Sequence, residues 1–427
     1  MKKEITLLKL LFVFLILPVF VQAQDDAENE TKESVYRRSS LYTLMIHEPS
    51  RPFANVIDTT FSNAELPDKF NNHLLSHRKI INAVSEDIKN NKEKENIQIA
   101  NIESFLDQNQ IAKKMIAKWF NRTENGAFDM NLVAERGSYN ASEMDVELAK
   151  SSKRGLSLLA DAGEELIRNT FVVVNDFKYI SKEEIANKTK KGLALLNTVA
   201  QLAGKDISTY TDLASAAVTV AGKGYVIKTT SYLYRLAWND SIAAVFYNEY
   251  WMDENSIEQS KKTAFDNSDI FKLELVGYEN AWADLQSSIF TTKSEEQLIS
   301  MATVRAVDKV IAKLQRTYEV FRTKTPLYSA NPLAAKIGLK EDIEKGDKFE
   351  VLQQYVDKEG ITKYKRKGVI RVNPKQIWDN RFMAAEEQQA QSGEDANKTD
   401  DAGEDKNFTL FIGGKNYYKG MLIRQIN

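Results

Sequence analysis

His73 and His77 stand four residues apart in a stretch whose apolar residues recur at three- and four-residue steps. On a helix that spacing turns both side chains to one face, where two imidazoles could share a metal ion. Leu74, Leu75 and Ser76 lie between them, so the glutamate that follows the first histidine of a zincin helix is missing. His47 is the only other histidine, and there is no cysteine. A third ligand would have to come from some carboxylate, and a plain helix surface meets the same spacing. His73 and His77 are therefore a metal candidate by spacing alone, and no cofactor is expected.

Other chemistries leave less trace. Gly-x-Ser-x-Gly, the elbow that presents a hydrolase serine, is absent. Sixty acidic residues offer many carboxylate pairs, but the adjacent Glu164 and Glu165 point in different directions on a helix. Gly222-Lys223-Gly224 precedes a strand, whereas a phosphate loop follows one and opens a helix. Without cysteine there is no disulfide, no zinc thiolate and no thiol nucleophile.

Aromatic residues form the one unusual local feature. Tyr225, Tyr232, Tyr234, Trp238, Phe246, Tyr247, Tyr250 and Trp251 crowd into one short stretch. Strand alternation places Tyr232, Tyr234 and Trp238 on a common face. Packed beneath helices, that face is core; exposed, it would bind a glycan, a peptide or a partner protein. These three are the candidate partner-binding residues.

The chain of 427 residues carries 58 basic and 60 acidic side chains, a net charge of −2. So even a balance gives no field for holding nucleic acid. The start, MKKEITLLKLLFVFLILPVFVQAQDD, has Lys2 and Lys3 before an apolar run, then Val21-Gln22-Ala23. It reads as a signal peptide over residues 1–23, cleaved after Ala23, because the apolar run is too short to span a bilayer. No later run reaches that length either. The expectation is an exported protein, periplasmic, secreted or peripheral to the outer membrane, that does not cross a membrane once processed. Its lack of disulfides fits a bacterial envelope.

The elements that would position such residues follow from periodicity. Residues 24–36 read as a polar leader, and 37–145 as a mostly helical region. Within it, Ser39–Ile46 is a strand, Pro67–Asn91 and Ile97–Phe120 are amphipathic helices, and 127–137 alternates like a strand. Residues 146–326 read as an α/β domain. Its helices are Val146–Arg168, Lys182–Leu202, Thr211–Gly222 and Ser294–Phe321. Its strands are Thr170–Ile180, Tyr225–Trp238, Ser241–Trp251 and Phe271–Trp282. From Leu327 short strands and tight turns replace helical periodicity, as in a small β-barrel over 327–427. An acidic low-complexity segment at 384–406, including EEQQAQSGEDANKTDDAGED, reads as a disordered loop within it. The fold class is thus α+β or α/β: a helical N-terminal part, a mixed sheet with helices, then the barrel.

Two passages carry a resemblance. Arg154–Asp176, RGLSLLADAGEELIRNTFVVVND, resembles the opening α/β element of bacterial envelope proteins of the curli-secretion and flagellar-accessory type. Gly346-Asp347-Lys348-Phe349-Glu350-Val351-Leu352, with Gly368-Val369-Ile370-Arg371-Val372, resembles the SH3-like barrel that ends some of them. The resemblance implies the order of an α/β domain followed by an SH3-like barrel, and a structural or assembly role. The functional expectation is a non-enzymatic protein that binds or organises a protein or glycan of the cell envelope. The alternative is an envelope-polymer hydrolase whose carboxylates the sequence does not single out.

Overall fold

Strand β1 (Ser39–His47) has the sequence SSLYTLMIH, and all nine of its side chains are buried. A strand buried on both faces needs partners on both edges and a layer on each side. In the computed structural model, which describes residues 36–37, 39–81, 91–138, 165–181, 225–284, 294–356, 362–385 and 407–426, β1 has both. Strand β2 (Phe70–Asn72) and strand β3 (Lys79–Ile81) pair with it in parallel, at Ser39↔Phe70 and Met45↔Lys79. Strand β4 (Thr170–Ser181) pairs in parallel from Ser40↔Thr170 to Met45↔Asn175. Strands β5 (Tyr225–Leu236) and β6 (Leu273–Asp284) continue the sheet as an antiparallel meander. The order is β2-β1-β4-β5-β6, with β3 also on β1.

Helices cover both faces. One cluster joins Tyr42, Leu44, Val172, Val174, Tyr232 and Tyr234 to Ile102 and Leu106 of helix α2 (Asn91–Gln108) and to Ile111 and Met115 of helix α3 (Ile111–Trp119). On the other face, Met45, Phe177 and Ile227 meet Ile57 and Phe61 of helix α1 (Ala54–Asn63). Leu298 and Met301 of helix α7 (Glu295–Thr317) complete that cluster. Ser294 and Gln297 form a capping box at the start of α7, and Leu298, Met301, Ile311 and Leu314 are buried along it.

Four expectations are corrected. Pro67–Asn91 is not one helix: its described part forms β2, a turn and β3, because it supplies an edge to β1, and His73 N–H donates to Leu41 O at 3.0 Å. Ile97–Phe120 is two helices, broken where Gln110 takes a left-handed φ of 49°. Residues 127–137 are no strand. Asp129 Oδ1 accepts Asn131 N–H at 2.8 Å and opens helix α4 (Asn131–Ser138). Ser241–Trp251 is likewise no strand. Asn239 caps helix α5 (Asp240–Val245), its Oδ1 accepting Ile242 N–H, and a π-helical turn (Phe246–Tyr250) follows. Helix α6 (Gln259–Asn267) was not expected.

The C-terminal part is a closed ring of six antiparallel strands. They are β7 (Thr325–Ala330), β8 (Leu333–Ala335), β9 (Lys348–Val356), β10 (Thr362–Val372), β11 (Thr409–Ile412) and β12 (Leu422–Ile426). Leu327, Phe349, Val351, Ile370, Val372, Phe411 and Ile423 fill it. Arg316, in the last turn of α7, ties it to the body by pairing with Asp347 at 3.0 Å and donating to Asp342 O. The whole is a mixed α+β fold with two sheets. The signal peptide, nearly all of the leader, the helices expected at 182–202 and 211–222, and nearly all of the acidic segment lie outside the described residues. Among the described residues, no helix is long and apolar enough to cross a membrane.

Gly277 sits at the irregularity where β5 and β6 shift register, with φ 155°. A Cβ there would lie 2.2 Å from Tyr318 Oη, which donates to Tyr278 O. Gly277→Ala is expected to lower stability by about 1–3 kcal/mol, from strain and overpacking together. Chemical denaturation checks this, and an unchanged midpoint would contradict the packing described.

Candidate functional site

His73 is fully buried and both ring nitrogens are engaged. Arg136 Nη1 donates to Nδ1 at 2.8 Å, and Nε2–H donates to Met115 O at 3.1 Å. This pattern requires the neutral imidazole protonated on Nε2. The ring stacks on Trp119 with centroids 5.1 Å apart, and the Arg136 guanidinium lies over the same indole. Arg136 also donates to Ser40 Oγ and to Asn72 O. His73 is thus a linchpin between β1, β2, α3 and α4. His77 lies in the turn before β3, half-buried, its ring edge-on to Phe105. The single helix that would have aimed both rings at one ion is replaced by a turn. Among the described residues no group of three potential ligands clusters.

The second set of candidates lies inside the protein. Tyr232, Tyr234 and Trp238 are 4%, 0% and 3% exposed. Tyr232 and Tyr234 share a face of β5 and pack beneath α2 and α3. Trp238 follows the strand and joins a separate cluster around Phe120 and Phe246, whose rings stack 4.5 Å apart. Of the two alternatives for these aromatics, the structure takes the packed one. Tyr232, Tyr234 and Trp238, the candidate partner-binding residues, are thus not an exposed face.

Exposed aromatics occur instead on the barrel. In β7, Leu327 points into the barrel at 1% exposure, so alternation turns Tyr328 outward at 43%. Tyr328 stacks on Phe408 at 5.9 Å and 23°. Phe408 is held by its neighbour Thr409, whose buried Oγ1 donates to Ile337 O and accepts Trp378 N–H. Two ammonium groups flank the Tyr328 ring, Lys336 Nζ at 5.1 Å and Lys419 Nζ at 5.9 Å. Lys419 and Tyr418, the latter 53% exposed, ride on a turn locked to β7. Gly420 N–H donates to Leu327 O, and Leu327 N–H to Met421 O. On the same barrel Lys363, Lys365, Lys367 and Lys415 are exposed as well. The result is a pre-ordered aromatic platform with cations at its rim.

This face escaped the sequence reading because Tyr328, Phe408 and Tyr418 come from three separate parts of the chain. Alternation in β7 could have flagged Tyr328, and nothing local marks the other two as its neighbours. The fold and this face define a mixed α+β protein whose closed β-barrel displays aromatic and cationic groups. Compared with known proteins, the chain matches no family model and no curated sequence.

Burial holds the His73 imidazole well below its ordinary pKa of 6.5, and the Arg136 and Lys118 charges push the same way. Unfolding releases the ring to take up a proton, so below about pH 6.5 the unfolded chain binds more protons and the fold loses stability. The melting temperature of the wild type is expected to fall between about pH 7 and pH 5 more steeply than that of His73→Gln. Parallel pH profiles for the two would contradict the buried neutral imidazole.

Proposed function

We propose that the protein is an exported, non-catalytic binding protein that engages or organises another component of the cell envelope, with its C-terminal barrel, read as SH3-like, as the contact module. The observation that carries this reading is the Tyr328–Phe408 platform flanked by Lys336 and Lys419. Aromatic rings present a negative face to the C–H bonds of a sugar ring, and the lysines supply charge for acidic groups. The partner of best fit is therefore an acidic glycan. Export rests on the sequence of residues 1–23, and an even net charge of −2 with no reactive motif fits a binder.

The exposure of the platform agrees with such a role. In the sheet body the described aromatics are buried or half-buried, since burying one ring removes a large apolar area from water. Leaving Tyr328 and Tyr418 at 43% and 53% exposure forgoes that gain. A partner that covers them recovers it.

Binding of the mature full-length chain to dextran sulfate, dextran and polyglutamate tests the proposal. Saturable binding to dextran sulfate and none to dextran is expected. Tyr328→Ala should weaken it by roughly five- to tenfold, about 1 kcal/mol for an aromatic contact. Lys419→Ala should weaken it less and lower its salt dependence. Unchanged binding by Tyr328→Ala overturns the platform as the contact, and tighter binding of polyglutamate overturns the glycan in favour of an acidic polypeptide.

A further inference from the structure

A hollow of about 520 Å³ opens between the C-terminal half of α1 and the segment that leads into β3. Its walls are Asp58, Thr59, Ser62 and Asn63 on the helix, and Ser76, His77, Arg78 and Lys79 on the segment. All eight lining residues are polar. The size falls in the range of small-molecule sites.

The charges are unevenly matched. Lys79 Nζ and Asp58 Oδ2 pair at 2.7 Å, so these two cancel. No carboxylate of the described residues pairs with Arg78. Its Nη2 donates to Phe61 O at 3.1 Å and to Thr43 Oγ1 at 3.5 Å, and its guanidinium lies 5.2 Å over the Phe61 ring. Its Nε is buried without a partner. The carbonyl end of α1 contributes roughly half a negative charge at most, which a full guanidinium charge exceeds. The hollow therefore keeps a net positive charge on a fixed side chain.

Both walls are anchored from behind. Thr60 Oγ1 donates to Ser300 Oγ of α7 at 2.8 Å, fixing α1. Tyr42 Oη donates to His77 O, fixing the turn. Around the cation stand three hydroxyls and one amide, each able to donate and to accept. A single anionic group and several hydroxyls would satisfy this set together.

From this geometry we infer a binding site for a sugar acid, a small polyhydroxylated monoanion, between α1 and the turn at Ser76–Lys79. The site is independent of the barrel platform. Hydroxyls of the sugar would meet Thr59, Ser62, Asn63 and Ser76, and its carboxylate would face Arg78.

Calorimetric titration of the full-length chain with glucuronate, glucose and inorganic phosphate tests the inference. Saturable glucuronate binding is expected, with glucose at least tenfold weaker. Arg78→Gln should lose at least tenfold in affinity. Because Arg78 also holds Phe61 O, Ser62→Trp provides a second variant: an exposed position where a large ring fills the hollow and touches none of the anchors. It should abolish glucuronate binding without changing the melting temperature of the free protein. Tyr328→Ala, which removes the barrel platform, should leave glucuronate affinity unchanged. Failure to bind glucuronate, or binding untouched by Ser62→Trp, overturns the site. Phosphate binding as tight as glucuronate overturns the sugar-acid assignment and leaves a plain anion site.

Discussion

Complete burial of β1 is the constraint on which the body is built. A strand with no exposed residue must find a hydrogen-bonding partner for every backbone group on each edge. One edge has the full-length β4. The other has only two three-residue strands, β2 and β3, joined by a turn that follows β1. The polar residues of β1 add a second demand. Ser40 and Thr43 are buried among apolar neighbours, and a hydroxyl there needs a donor or acceptor. Arg136 reaches in for Ser40 and Arg78 for Thr43. Both cations therefore sit where β1 places them, and what surrounds them follows: His73 beneath Arg136, the polar hollow in front of Arg78.

His73 and His77 show how the same requirement changes the meaning of a motif. Four-residue spacing acquires metal-binding sense only on a helix, and the segment is needed as a sheet edge instead. The apolar steps that looked helical belong to residues such as Phe70 and Ile80, which are buried on strands, and Ile81, which is 74% exposed. A short edge strand has too few residues to display its period of two, so its pattern falls within reach of the helical template. The pairing partner that decides the matter, β1, lies some thirty residues upstream and leaves no mark on the local sequence.

Legibility elsewhere tracks length and local chemistry. Strands β4, β5 and β6 and helix α7 span enough residues for periodicity to speak, and the change of texture read at Leu327 falls two residues inside β7, which begins at Thr325. Two of the misread passages, 127–137 and Ser241–Trp251, were short and had their deciding signal in a single polar residue. Asp129 and Asn239 each cap a helix, and the alternation of large side chains around them is a by-product of packing. Phe128, Phe246 and Trp251 converge on Phe120 from different elements, so their sequence order reflects a three-dimensional cluster and not a strand.

The aromatic residues divide by the same logic, and the division runs opposite to sequence density. Where they crowd, at 225–251, each of the largest rings has another ring to pack against, and crowding favours a core. Where they are sparse, on the barrel, the interior is already filled by Leu327, Val351, Ile370, Val372 and Phe411. A small closed barrel has no second layer, so every residue alternating with these must face outward. Tyr328 is outward by that geometry, and its neighbours are chosen by the ring order of the strands, which sets β7 beside β8 and β12 and brings the Phe408 end of β11 alongside. The barrel's topology thus assembles, from three distant segments, a surface that no local stretch of the chain encodes. Arg316 of α7 fastens that barrel to the body by its ties to Asp342 and Asp347, so the platform is carried on a scaffold whose own aromatics are fully occupied in holding it together.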